Sequence, residues 1–537
     1  MADPVQHVGH DERRLAELGY RQELTRAWSS FTNFAISFTI ISVLAGVFTN
    51  FSFAWTAGGP AGIAFGWPIL CAFVLLVGFS MAELTSAFPT AGGPYWWAAK
   101  LGGAGWSWFT GWFNMIGLVG IVAGVGYGAA IFLNAVLSIY GVKIGGIDFA
   151  TTNTSAILHH QFVLFLIILF LYTVINIFAD PLLALFNNIS VGWHVLGVLV
   201  ILGVLIFVPD HHQDAGFVFG NTINNTGFHG GATHGLFFWL YVLPIGFILT
   251  MYTQTGYDAS AHTAEETRDA ALGAAKGVWK SIFYSALLGW FLLLAFLFAA
   301  TDTKSVSDSG GFVGTIFSTA MSNHLWGAKL ILIIATVGQL FCGAAGLTSA
   351  SRTWYAFSRD RGMPGWALFR RLNAARVPLF AVIAVAIAAL IITIPAYWGT
   401  NGVPWAYFAI TSICTVGLYL AYIIPVFLRL RQGDSFEPGP WTLGRHYKWV
   451  NVGAILFVLL VLYSLDIPFA SAGVPWHSGW KWSSLNYSPL VLIVGLLVGI
   501  WWVVDARKKY TGPVRTIDEV PMTPEAPEAG PAPAPGA

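Results

Sequence analysis

The chain has 537 residues, and only 9% of them are Asp, Glu, Lys or Arg, where a soluble domain averages about 25%. Apolar residues make up 56%, the formal net charge is +1 and mean hydropathy is +0.68. This excludes a water-soluble enzyme, a disordered chain and a nucleic-acid binder, and leaves a protein whose main solvent is lipid.

Residues 1–30 lack the apolar core of a cleavable signal. Leu15, Leu18, Leu24 and Trp28 alternate with charges over 11–30, which predicts a short amphipathic helix on the inner membrane surface. Residues 31–505 hold twelve apolar stretches of membrane-spanning length. They are roughly 31–55, 61–86, 104–137, 161–180, 184–208, 236–260, 278–300, 325–350, 378–396, 404–429, 449–466 and 487–505. No run of alternating polarity suggests a barrel. The expected fold is therefore an all-α integral membrane protein. Residues 506–537, with seven prolines after residue 510, are expected to form a disordered cytoplasmic tail.

Basic residues set the orientation. With the N-terminus in the cytoplasm, only Lys143, Lys304, Lys329 and Lys481 of the 26 Lys and Arg fall outside, and the other 22 fall inside. An even number of spans returns both termini to the cytoplasm, as in a multi-pass plasma-membrane protein. Cys71, Cys342 and Cys414 lie in apolar runs and read as core residues. No zinc, phosphate-loop or dinucleotide spacing appears, so no cofactor is expected.

Two spans carry polar or small residues where lipid would not tolerate them unpaired. Span 1 reads Ser42-Val43-Leu44-Ala45-Gly46-Val47-Phe48, and span 6 reads Tyr252-Thr253-Gln254-Thr255-Gly256-Tyr257-Asp258. A polar run of the second kind is costly unless it lines a cavity. The two sites lie five spans apart, as in transporters built from inverted five-helix repeats whose first helices are broken. A break frees N–H groups that attract a carboxylate and carbonyls that attract an ammonium.

Four segments carry a family resemblance. They are Thr255 to Thr267 (TGYDASAHTAEET), Met81 to Trp96 (MAELTSAFPTAGGPYW), Ser349 to Pro364 with its AFSRDRGMP, and Leu18 to Leu24 (LGYRQEL). Taken together in chain order, they make the chain resemble the amino acid–polyamine–organocation permeases, closest to their amino acid/choline transporter branch. The resemblance implies a leucine-transporter-type fold of twelve transmembrane helices: two inverted repeats of five plus two, with helices 1 and 6 broken. It implies a secondary active transporter working by alternating access. Carried over, Val43, Leu44, Ala45 and Gly46 would offer backbone N–H groups to a carboxylate. Thr253, Gln254, Thr255 and Gly256 would offer carbonyls to an amine, and Tyr252 would cover the substrate. Span 1 departs from the usual Gly-Ser-Gly-like triplet, having Leu44-Ala45-Gly46 instead.

Two ionisable residues lie within spans. His194 is about ten residues, or roughly 15 Å, into span 5. Asn188 to His194 is similar to the segment where proton-coupled relatives carry a lysine, which makes His194 the candidate for proton coupling. Asp258, near the inner end of span 6, reads as a gating carboxylate. Glu83, ending span 2, reads as solvated or loop-anchoring.

The expected partners are the lipid bilayer, a co-transported proton and a small substrate: a neutral α-amino acid or γ-aminobutyrate. Choline is the alternative within the class, with Tyr252 and Tyr257 facing its ammonium. An uncoupled exchanger, a membrane enzyme and a nutrient sensor are the other classes. His194 has no nucleophile partner visible in sequence, and the tail is short for a sensor.

Overall fold

The computed structural model describes residues 10–178, 180–398 and 405–516. Eleven helices among them are long and apolar enough to cross a membrane, from Ser30–Thr56 to Gly444–Asp466. A twelfth, Leu490–Val504, is equally apolar but has 15 residues. The strands found are two residues each, a hairpin pairing Lys143–Ile144 with Ile147–Asp148 in the loop after span 3. The fold is all-α, as expected.

Spans 1 and 6, 2 and 7, 3 and 8, and 4 and 9 pack against one another. That is the pairing a pseudo-two-fold between two inverted five-helix halves produces. Span 3 (Ala104–Ile139) lies between span 8 (Leu325–Arg359) and span 10 (Trp405–Gln432). Its glycines permit that approach. A Cβ on Gly120 would stand 2.8 Å from Cβ of Cys414, and one on Gly117 would stand 2.8 Å from the Leu418 nitrogen.

Both breaks occur. Span 1 divides into Ser30–Ile41 and Val43–Thr56 at Ser42, whose φ of 29° is unusual for a residue other than glycine. Span 6 ends its first half at Ile248–Thr253 and resumes at Ala259–His262. Between them Gly256 has φ +85°, and a Cβ there would press on Ile40. The matching halves stay together. Asn33 donates to the Ser260 carbonyl and to the hydroxyls of Thr263 and Thr267, and Ser37 donates to the Tyr257 carbonyl.

The two ends differ from their expected form. The helix over 11–30 is shorter, His10–Glu17, and Gly19 at φ +94° ends it. Leu15, Tyr20, Leu24 and Trp28 are buried by the protein rather than by lipid, and Trp28 exchanges backbone hydrogen bonds with Glu266 and Arg268. The described part of the tail, 506–516, is packed, not disordered. Tyr510 is buried and shares a 2.6 Å hydrogen bond with Ser107, and Val514 N–H donates to Asp360. Residues 1–9 and 517–537 of those segments lie outside the described residues. Of the tryptophans clustered around residues 96–108, Trp96, Trp97 and Trp108 are buried in the core, while Trp106 is exposed.

Candidate functional site

The face where span 1 begins is termed near, and the opposite face far. The far halves of spans 1 and 6 meet so closely that a Cβ on Gly46 would stand 2.8 Å from Cα of Thr253. Beside this contact is a cavity of about 10 Å³, on the scale of one water, so the site is collapsed in this state. Of the residues expected there, Ala45, Gly46, Tyr252, Thr253 and Thr255 line it. Val43 and Leu44 turn their side chains into the core, with Leu44 against Gly338 of span 8 and Gly197 of span 5. Their N–H groups begin the helix Val43–Thr56, at the positive end of its dipole. The Gln254 side chain is buried near Cys71 of span 2, with no hydrogen-bond partner among the described residues. Gly256 supplies the turn. The carbonyls of Thr253, Gln254 and Thr255 accept no backbone hydrogen bond among the described residues.

Other lining residues escaped sequence reasoning: Ile40, Ile41, Ile121, Val125 and Cys342. Ile121 and Val125 are one turn apart within the glycine-rich stretch of span 3, and that stretch was the available signal. At Gly124 a Cβ would stand 3.0 Å from the Tyr252 hydroxyl. Tyr257, expected to face a quaternary ammonium together with Tyr252, instead packs on Tyr422 with ring centroids 5.0 Å apart. The lining contains no charged side chain.

His194 is fully buried and reaches the break in span 1. Its Nε2 lies 2.7 Å from the Ser42 hydroxyl, and its Nδ1 lies 2.8 Å from the Ser190 carbonyl. A carbonyl only accepts, so Nδ1 carries a proton, and neutral His194 accepts at Nε2 from Ser42. Ser42 had no assigned role from sequence, yet it joins the candidate coupling residue to the half-helix that opens on the cavity.

Asp258 is also fully buried. Its Oδ1 accepts from the Tyr422 hydroxyl at 2.7 Å, and its Oδ2 meets Asn114 Nδ2 at 3.1 Å and His262 Nε2 at 3.0 Å. It ties the near half of span 6 to spans 3 and 10.

The near face is closed by buried charge. Arg359 pairs with Glu265 at 3.0 Å, Arg352 with Glu266 at 2.9 Å and Arg429 with Glu83 at 2.8 Å. Glu83 also accepts from Thr442 and from Leu443 N–H, so it anchors a loop and is not solvated. Glu265 takes the Ala91 N–H. Burial by itself would raise its pKa, but Arg359 and that N–H outweigh burial and hold it below the usual carboxylate range. Asp360 accepts from the hydroxyls of Tyr20 and Tyr95, and Tyr355 donates to Glu23. All four segments of the resemblance thus converge on this closure. On the far side a vestibule of about 590 Å³ opens between Thr49, Asn134, Gln161 and Tyr407.

This architecture coincides with one family. The pattern of the amino acid permeases matches residues 29–497. The chain belongs to the amino acid permease family, within the amino acid–polyamine–organocation superfamily. This permease is 35% identical to amino-acid permease BAT1 of Arabidopsis thaliana over 96% of this chain and 98% of that one. A BAT1 homolog of Oryza sativa is 36% identical over 95% and 96%. The GABA-specific permease of Saccharomyces cerevisiae is 28% identical over 95% and 87%. The permease is a multi-pass membrane transporter of amino acids, not an enzyme.

Proposed function

We propose that this permease imports a small neutral amino acid, an α-amino acid or γ-aminobutyrate, into the cytoplasm by proton-coupled alternating access. The observation that carries the reading is the Ser42–His194 contact. With Nδ1 committed to Ser190, protonation changes only Nε2, from acceptor to donor, and so acts directly on the residue that breaks span 1. The proton is the co-substrate bound from outside.

The substrate class rests on the cavity. Helix N–H groups from Val43 and Leu44 would meet a carboxylate, and the free carbonyls of Thr253, Gln254 and Thr255 would meet an ammonium. With no side-chain charge in the lining, a second substrate charge would have no counterpart. γ-Aminobutyrate is also what the yeast relative is named for. The open far vestibule and the closed near face fit an outward-facing state, and the basic residues support cytoplasmic termini and insertion in the plasma membrane. In this reading residues 1–30 and 506–537 are cytoplasmic segments flanking a transporter domain of 31–505.

The test is uptake of a panel of labelled amino acids and amines into proteoliposomes under an imposed pH gradient. Accumulation of neutral amino acids that collapses in His194→Ala is expected. Full gradient-driven accumulation by that variant would refute coupling through His194. Preferential uptake of choline would refute the substrate class.

A further inference from the structure

His262, four residues after Asp258, plays no part in the reading above, yet both of its ring nitrogens face acceptors. Its Nε2 lies 3.0 Å from Oδ2 of Asp258, and its Nδ1 lies 3.2 Å from the carbonyl oxygen of Ala91 in the loop after span 2. Both side chains are fully buried. The slot is built for the ring: Gly93 has φ +50°, and a Cβ there would stand 2.9 Å from Cε1 and 3.0 Å from Nδ1 of His262.

The proton count follows from donor chemistry. A neutral imidazole has one N–H, so beside a carboxylate it can satisfy only one of these two contacts. Both are satisfied only when the pair holds one further proton, as imidazolium with carboxylate or as Nδ1–H imidazole with carboxylic acid. The remaining surroundings do not supply it. The Tyr422 hydroxyl donates to Oδ1 and Asn114 to Oδ2. Cys414 of span 10 and Tyr257, in the break of span 6, are further titratable groups near Asp258, and neither supplies the proton while it remains un-ionised. Span 1 presents Asn33 and Ser37, which are spent on Ser260 and Tyr257. Glu265, on the other side of Ala91, is neutralised by Arg359.

We infer that Asp258 and His262 form a second proton-binding site, occupied while the near face is closed and emptied to water on that side as it opens. Opening would draw the near half of span 6 away from Ala91, removing the acceptor that demands the second N–H. Water would then take the proton, leaving neutral His262 and an Asp258 carboxylate. The release step rests on the alternating-access reading proposed above, whereas proton binding itself does not.

Two measurements separate these. The first is the melting temperature of the purified full-length protein across pH, for wild type, His262→Gln and Asp258→Asn. The amide introduced by Asp258→Asn carries a permanent donor toward Nε2, so that variant satisfies both contacts without the extra proton. Above about pH 7.5, where an unfolded histidine is already neutral, wild type is expected to lose stability with rising pH relative to both variants, whose difference from each other stays flat. Parallel profiles for all three would overturn the inference. The second is exchange of labelled γ-aminobutyrate in proteoliposomes at fixed outer pH and varied inner pH. Wild type is expected to speed up with inner pH, approaching about tenfold per pH unit, the limit for one proton. His262→Gln is expected to be flat. A His262→Gln profile matching wild type would overturn the release step even where the melting result holds. Absence of any wild-type exchange would refute the substrate reading and leave the melting result to decide the proton site.

Discussion

The approach of Gly46 to Thr253 gives the sharpest test of where the site lies. In Gly46→Ala the new methyl would stand 2.8 Å from Cα and 2.7 Å from Cβ of Thr253. Carbon atoms in favourable contact are about 3.5–4.0 Å apart, so a gap of about 1 Å must open. A side-chain rotation cannot provide it, because Cα belongs to the backbone of span 6. The two half-helices must therefore separate. Overpacking of this kind costs about 1–3 kcal/mol of stability, and a displacement of about 1 Å at a positioned site costs on the order of 100-fold in rate. Initial uptake of labelled amino acid in proteoliposomes should fall by about that factor, with a lowered melting temperature. Gly192→Ala in span 5 is the matched control. Nothing stands within 4 Å of its Cβ position, so it should transport normally and gain up to about 1 kcal/mol from helix propensity. Wild-type transport by Gly46→Ala would refute a site between these two half-helices.

Two further expectations concern the near face. Glu265→Gln leaves Arg359 buried without its counter-charge, which costs about 3–5 kcal/mol, and thermal melting should show a loss that Arg359→Met in the same chain partly restores. Burial pushes the Asp360 carboxyl up to about 6, against the opposing effects of Arg359, Val514 N–H and the hydroxyls of Tyr20 and Tyr95. A carboxyl raised in the folded state stabilises it fully below about pH 4 and loses that contribution as pH rises through about 6, an effect of about 3 kcal/mol. Melting of wild type should therefore fall relative to Asp360→Asn between these pH values; superimposable curves would refute the assignment.

The spans and their breaks were legible because lipid makes the rules strict. A glycine beside Thr and Gln inside an apolar run has few explanations, and Gly256 and the Ser42–Gly46 stretch proved to mark them. His194 stood out for the same reason. The cavity lining was less legible because most of it is ordinary. Ile121, Val125 and Cys342 resemble any other lipid-facing or core residue until distant spans are brought together. Charge was misread in one respect. Basic residues read from sequence as markers of orientation, and Arg361, Arg370, Arg371 and Arg376 are exposed as such markers would be. Arg352 and Arg359 instead turn inward to acids at the end of span 6. Sequence shows the sign of a charge near a membrane boundary but not which way a helix turns it. The ends were misread through their polarity, because Tyr20 and Tyr510 are anchors that composition averages away.

The segments that make this chain recognisable meet in the near-face closure, and of them only Thr255 lines the cavity, whose other walls are aliphatic side chains with Cys342, Tyr252, Thr253 and Gly46. With the substrate held in this cavity, as proposed, kinship and cargo are written largely in different parts of the molecule. A methylene gained or lost at Ile121 or Val125 would alter discrimination between substrates by about 1–3 kcal/mol, or about 10–200-fold, without touching the lock. A fold of this kind can exchange one nutrient for another by small changes in wall shape while its opening and closing machinery stays as it is.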